Sequence, residues 1–239
     1  DVIIAGAKHV QSFSIPIMET RRAVLSPEYA FIKRAMDVVC SALALVVLSP
    51  FMLATAIVIK AYDHGPVLYK QVRLTKDGKR YAILKFRSMR VDAEKDGVAR
   101  LASDHDDRIT PVGRIIRAIR FDELPQLINI LKGDMSIVGP RPERPEIAAQ
   151  YEKEMPAFSL RLQVKAGLTG TAQVYGRYNT EPRDKLKMDL MYINRMSLAG
   201  DLKLIFATIK ILLMKESTQG IGNGQITAEK TEKVVEKSA

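Results

Sequence analysis
With 239 residues, the chain has room for one large domain or two small ones. Its single cysteine, Cys40, excludes an intrachain disulfide, and its three scattered histidines, His9, His64 and His105, offer no zinc spacing. The net charge of +10 is uneven: between Lys60 and Arg120, 15 Lys/Arg stand against 8 Asp/Glu, a surface suited to anionic lipid headgroups, nucleotides or nucleic acid. The chain starts at Asp1 and shows no signal-peptide pattern, which suggests a segment of a longer protein. Residues 1–32 open on a strand-like run, Val2 to Ala5, and then lose periodicity; they read as a linker or the end of an upstream domain.

From Val38 to Ile59 the chain runs 22 residues without a charge. At ~1.5 Å per residue, such a helix is long enough for the ~30 Å hydrocarbon core. Ser49-Pro50 sits at its centre, and Pro50 has no N–H for the carbonyl of Val46. The expectation is a helix, break, helix hairpin over about residues 36–60 that enters one leaflet and returns, with Ser49 hydroxyl bonding covering the break. Lys33 and Arg34 before the run and Lys60 after it favour the cytoplasmic side for both ends. A Pro-kinked spanning helix is the alternative that the local residues leave open.

The central body mixes strand candidates, Val67 to Val72 and Tyr81 to Phe86, with helices. Thr110-Pro111 reads as an N-cap and first helical residue, opening a helix to about Arg120 that places Arg114 and Arg117 on one face. Leu124, Leu127, Ile128 and Leu131 recur at helical spacing up to Gly133, which makes Asp122 an N-cap and Glu123 the first residue of that helix. An ionised aspartate at a helix end that binds phosphate could attack phosphorus; simple capping is the bland alternative. Asp201 likewise reads as the cap of an apolar, interfacial helix from Leu202 to about Lys215. From Ser217 to Ala239 the chain is polar and reads as a disordered tail.

Pro140-Arg141-Pro142-Glu143-Arg144-Pro145 holds two guanidinium forks on a stiffened backbone, a geometry suited to diphosphate oxygens. Lys85 and Arg87, in Lys-Phe-Arg-Ser-Met at a strand end, are further phosphate candidates. Asp104, Asp106 and Asp107 contain an Asp-x-Asp pattern that could hold a metal-nucleotide, although a polar loop explains them equally. Gly167-Leu-Thr-Gly170 lacks the dinucleotide-binding spacing. With one cysteine and no Gly-x-Ser-x-Gly, thiol and serine hydrolase schemes have little support.

In combination and order, Lys33-Arg-Ala-Met-Asp37, Ser49-Pro50, Lys85-Phe-Arg-Ser-Met89, Asp107-Arg-Ile-Thr110, Asp122-Glu-Leu-Pro-Gln126, Lys132-Gly-Asp-Met-Ser136, Gly139-Pro-Arg-Pro142 and Gly167-Leu-Thr-Gly170 resemble the polyprenyl-phosphate glycosyl-1-phosphate transferases. These are bacterial sugar transferases of the monotopic type that initiate exopolysaccharide, capsule and O-antigen assembly. The resemblance covers about Lys33 to Ser217; Ala166 and Thr171 depart from residues frequent in the family. It implies an α+β, predominantly helical catalytic domain over residues 33–216, with a re-entrant hairpin, interfacial helices and a small β element.

By that resemblance, Asp122 is the nucleophile towards the sugar-bearing phosphorus of a UDP-sugar, and Glu123 assists it. Both residues would hold Mg²⁺. Arg141, Arg117 and Arg144, with Lys85 and Arg87, would bind substrate. Polyprenyl (undecaprenyl) phosphate is the implied acceptor, UMP the leaving group, and the cytoplasmic face of the bacterial inner membrane, with its anionic lipids, the location. A hexose such as galactose or glucose is the expected sugar; a homodimer is left open and nucleic acid is not an expected partner. An Asp-x-Asp glycosyltransferase using Asp104 and Asp106 would instead release UDP, and a basic membrane-surface module would turn over nothing.

Overall fold
The computed structural model describes residues 7–12, 15–20, 26–93, 106–176 and 180–213. A hairpin of β1 (Ala7–Ser12) and β2 (Ile15–Thr20) precedes the long helix α1 (Pro27–Asp63). Its strands fall where no periodicity was legible, while the expected Val2 to Ala5 strand and the tail from Ser217 lie outside the described residues.

Ser26 caps α1 by accepting from the Tyr29 N–H, and Pro27 occupies the first turn, where its missing donor costs nothing. The helix does not divide into two at Ser49-Pro50 as the sequence suggests; α1 remains one element. The reason is local. Ser49 Oγ donates to the Val46 carbonyl at 2.8 Å, serving the acceptor that Pro50 leaves bare. An 18-residue window of α1 has a mean hydropathy of 2.5, so the helix is long and apolar enough to cross a membrane.

The charged start of α1 docks it onto the body. Lys33 Nζ reaches Asp201 at 2.6 Å, Arg34 donates to the Ile130 and Leu131 carbonyls at 2.6 and 2.7 Å, and Asp37 accepts from the Ile137 N–H at 2.9 Å and from Ser136 Oγ at 3.1 Å. These cations are therefore engaged with protein, in addition to any part they have in orientation. Further along, Ala44 and Leu45 pack against Tyr81, Ile83, Leu127, Ile130 and Met135, and Met52 and Ala56 pack with Ile59, Phe86 and Ile116. Val46, Val47 and Phe51, at the midpoint, are exposed.

β3 (Leu68–Leu74) and β4 (Arg80–Phe86) form an antiparallel hairpin in register Leu68↔Phe86 to Leu74↔Arg80. Then come α2 (Pro111–Ala118), a 3₁₀ turn Phe121–Glu123, α3 (Gln126–Lys132) and β5 (Met135–Val138). Thr110 Oγ1 accepts from the Gly113 N–H at 2.9 Å, the expected cap. Gly133, at φ 90°, ends α3 in a left-handed conformation that a side chain would strain.

α4 (Pro145–Glu154), a 3₁₀ segment Pro156–Gln163, β6 (Ala166–Thr169), α5 (Thr171–Val174), α6 (Pro182–Asn194) and α7 (Leu198–Leu213) complete the chain. β6 pairs parallel to β5, and their junction is so close that a side chain at Gly167 would meet the Gly139 backbone at 2.1 Å. The largest core cluster joins Val138, Phe158, Leu186, Leu190, Ile193 and Leu204.

α7 starts three residues before Asp201, so Asp201 is not its cap. It is fully buried and accepts from Lys33, Tyr29 and Tyr192. The outward face of α7 carries Leu202, Phe206, Ile209 and Leu212.

Candidate active site
The 3₁₀ turn Phe121–Glu123 carries the two acidic residues, and Arg120 before it, at φ 54°, reverses the chain out of α2. Asp122 is therefore not the N-cap of α3, because Leu124 and Pro125 intervene and Pro125 occupies that position. What positions the turn is the docking of α3 on β4. Asn129, buried in the middle of α3, accepts from the Leu84 N–H at 3.0 Å and donates to the Ala82 carbonyl at 2.9 Å, imitating a neighbouring strand. β4 then presents Lys85 to the turn.

Glu123 Oε1 takes Lys85 Nζ at 2.9 Å and Arg141 Nη2 at 3.0 Å. Burial pushes its carboxyl up, but Lys85 and Arg141 outweigh that and hold it well below the usual carboxylate range. Asp122 shifts the other way: burial raises its carboxyl, Lys85 opposes this, and the neighbouring Glu123 charge adds to the rise. Among the described residues, no hydrogen bond or ion pair holds Asp122. The turn thus pairs a fixed, ionised glutamate with a buried, unpartnered and more basic aspartate. The helix end expected to favour an ionised Asp122 is not where Asp122 lies, since it sits in the 3₁₀ turn ahead of α3.

The sequence-selected cations separate. Lys85 and Arg141 meet at Glu123, and the Arg117 charge reaches Asp122 and draws its carboxyl down. Arg87 lies elsewhere: it is buried and pairs with Asp63 at the end of α1. Arg144 stands at the N-cap of α4, and its charge acts on Arg73. Asp106 is engaged by Arg108 through Nε at 2.8 Å and Nη2 at 2.6 Å, while Asp104 lies outside the described residues. That leaves the Asp-x-Asp reading without a free described carboxylate.

Two adjacent carboxylates, one unpartnered, fit a hard cation such as Mg²⁺, which takes oxygen ligands and needs few of them from protein. Among the described residues, no group of three or more His, Cys, Asp or Glu side chains gathers into a fuller cage.

Sequence reasoning missed Asn129, Arg161 and Asp189. Arg161 is buried, binds Asp189 Oδ2 of α6 at 2.6 Å and lies 4.8 Å from the Phe158 ring centroid. The available signal was a polar residue within an apolar pattern: Asn129 amid Leu127, Ile128 and Ile130, and Asp189 amid Leu186, Leu190 and Ile193.

Residues 28–215 match the family model described as bacterial sugar transferase. The chain is 44% identical over 191 residues to UDP-N-acetylgalactosamine-undecaprenyl-phosphate N-acetylgalactosaminephosphotransferase of Aeromonas hydrophila, covering 79% of this chain and 45% of the relative. It is 40% identical over 200 residues to UDP-glucose:undecaprenyl-phosphate glucose-1-phosphate transferase of Escherichia coli K12, covering 82% and 43%. The Exopolysaccharide production protein PSS of Rhizobium leguminosarum is 40% identical over 200 residues, covering 80% and 98%. The chain therefore spans less than half the length of the first two relatives and nearly all of the third. With the match running from the first turn of α1 past the end of α7, the chain belongs to the bacterial sugar transferase family.

Proposed function
We propose that the chain transfers a sugar-1-phosphate from a UDP-sugar to undecaprenyl phosphate, through a phosphosugar bound covalently to Asp122. The observation that carries this reading is the buried, unpartnered Asp122 beside a Glu123 shared by Lys85 and Arg141. A raised carboxyl pKa marks a more basic and hence better oxygen nucleophile, and the surrounding cations favour charge developing on phosphoryl oxygens.

In the first step, an Asp122 oxygen bonds to the sugar-bearing phosphorus while that phosphorus breaks its bond to the bridging oxygen, and UMP leaves with the electron pair. In the second, an oxygen of the lipid phosphate attacks the same phosphorus and displaces the aspartate, giving the lipid-diphosphate-sugar. Lys85 and Arg141 orient the phosphates, and Glu123 keeps both cations at the site. Mg²⁺, held by Asp122 and Glu123, would supply neutralisation of the diphosphate charge. The relatives' names include both a glucose and an N-acetylgalactosamine substrate, so the sugar is best assigned by a panel of UDP-sugars.

Mixing the chain, Mg²⁺ and UDP-sugar without lipid should release UMP in proportion to enzyme and leave a sugar-phosphate label on the protein. Asp122→Asn should abolish both. Release of UDP with Asp122→Asn still active would instead favour the Asp-x-Asp reading.

The same proposal places α1 as a re-entrant anchor at the cytoplasmic face of the inner membrane, where anionic lipid and nucleotide sugar are both within reach. Support comes from Pro50 at the centre of the uncharged run, from Lys33, Arg34 and Lys60 outside its two ends, and from the packing of α1 residues on both sides of the proline against one body. Cysteines introduced at Ala30 and Ala61 should both react only from the cytoplasm, and periplasmic labelling of either would refute the hairpin.

A further inference from the structure
The loop Pro140–Arg144 is fastened at four points. Arg161 Nη2 donates to the Arg141 carbonyl at 2.9 Å, Arg73 Nη1 to the Pro142 carbonyl at 3.2 Å, and the Leu74 N–H to the Glu143 carbonyl at 3.0 Å. The Glu143 carboxylate lies between the two guanidiniums, 3.7 Å from Arg161 and 3.9 Å from Arg73. Arg161 is itself fixed from α6 by Asp189 at 2.6 Å, and the side chains of both partners are more than nine-tenths buried.

Towards the acidic turn the loop carries the Arg141 guanidinium, 42% exposed and bound to Glu123. An arginine on a free loop would lose several rotors and backbone torsions on binding a diphosphate; one whose carbonyl is clamped loses fewer. We propose that Arg161, held by Asp189, is a positioning residue that sets the reach of Arg141 and thereby the affinity for the nucleotide diphosphate. The inference rests on the reading of Arg141 as a diphosphate contact. Arg161 does not itself touch substrate. Its fork is needed because one nitrogen serves both the Arg141 carbonyl and Asp189 while the other faces Glu143, a division that a single ammonium cannot reproduce.

The test is a double-mutant cycle on the full chain, with KM and kcat for UMP release and a thermal melt of each variant. Arg161→Lys should raise KM for the UDP-sugar about tenfold in the Arg141 background and change it less than about twofold in the Arg141→Ala background, because its effect passes through Arg141. Equal losses in both backgrounds, with Arg141→Ala itself defective, would mark a merely structural role and overturn the inference alone. Normal kinetics in Arg141→Ala would overturn both the inference and the reading on which it rests. If Arg161→Lys does not fold, Asp189→Asn replaces it in the cycle, with the same non-additivity expected and additive losses overturning the proposal.

Discussion
Asp122 and Glu123 are neighbours in the chain with opposite electrostatic fates, and the difference lies in one contact. Glu123 receives Lys85 and Arg141 directly, whereas Asp122 feels the same cations without bonding to them and is raised by burial. On the proposed mechanism, activity needs ionised Asp122, so it should fall as pH drops through the raised value of that carboxyl. Lys85 draws the group down; Lys85→Met should therefore move the acid limb of the kcat/KM profile towards higher pH, on top of a general loss of rate. A pH profile of UMP release checks it, and a limb that stays put or moves to lower pH would contradict it. The two carboxylates titrate as a pair, so the limb reports the dyad. The sequence brings out Asp122, Glu123, Lys85 and Arg141 because motif residues are named by type and order. It cannot tell that Arg87 turns to Asp63, because that pairing is set by where α1 ends in space.

Local grammar worked where the partner is local. Thr110 caps its own helix three residues on, and Gly133 ends α3. It failed at Asp122 and Asp201, each an aspartate ahead of an apolar run. Their real environments are a 3₁₀ turn and a buried pocket formed with Lys33, 168 residues away. The two kinds of contact differ in cost. Thr110→Ala removes one cap and should destabilise by about 1 kcal/mol. Asn129→Ala strands the buried Leu84 N–H, at roughly 1–3 kcal/mol, and also removes the bond to the Ala82 carbonyl, so it should be the more damaging change. Denaturant unfolding of the two variants, compared in one detergent, decides the order; a Thr110 effect equal to or above that of Asn129 would show that α3 is not held through its amide.

At the scale of the molecule, a largely helical body with small two-stranded sheets rests along one apolar helix, much as the sequence implies, although the uncharged run alone gave no hint that its charged start is spoken for. Asp201→Ala leaves the partly buried Lys33 without its carboxylate and should cost ~3 kcal/mol, seen as a lower melting temperature. Asp201→Asn, which keeps the shape and one acceptor, should cost less; equal melting of all three proteins would refute the anchor. The three docking residues of α1 bind partners 96, 100 and 168 positions later. During synthesis Lys33 emerges well before its partner Asp201 on α7. The body is thus latched to α1 only once Asp201 is in place, and a chain interrupted before it would have α1 made and its Lys33 without that carboxylate.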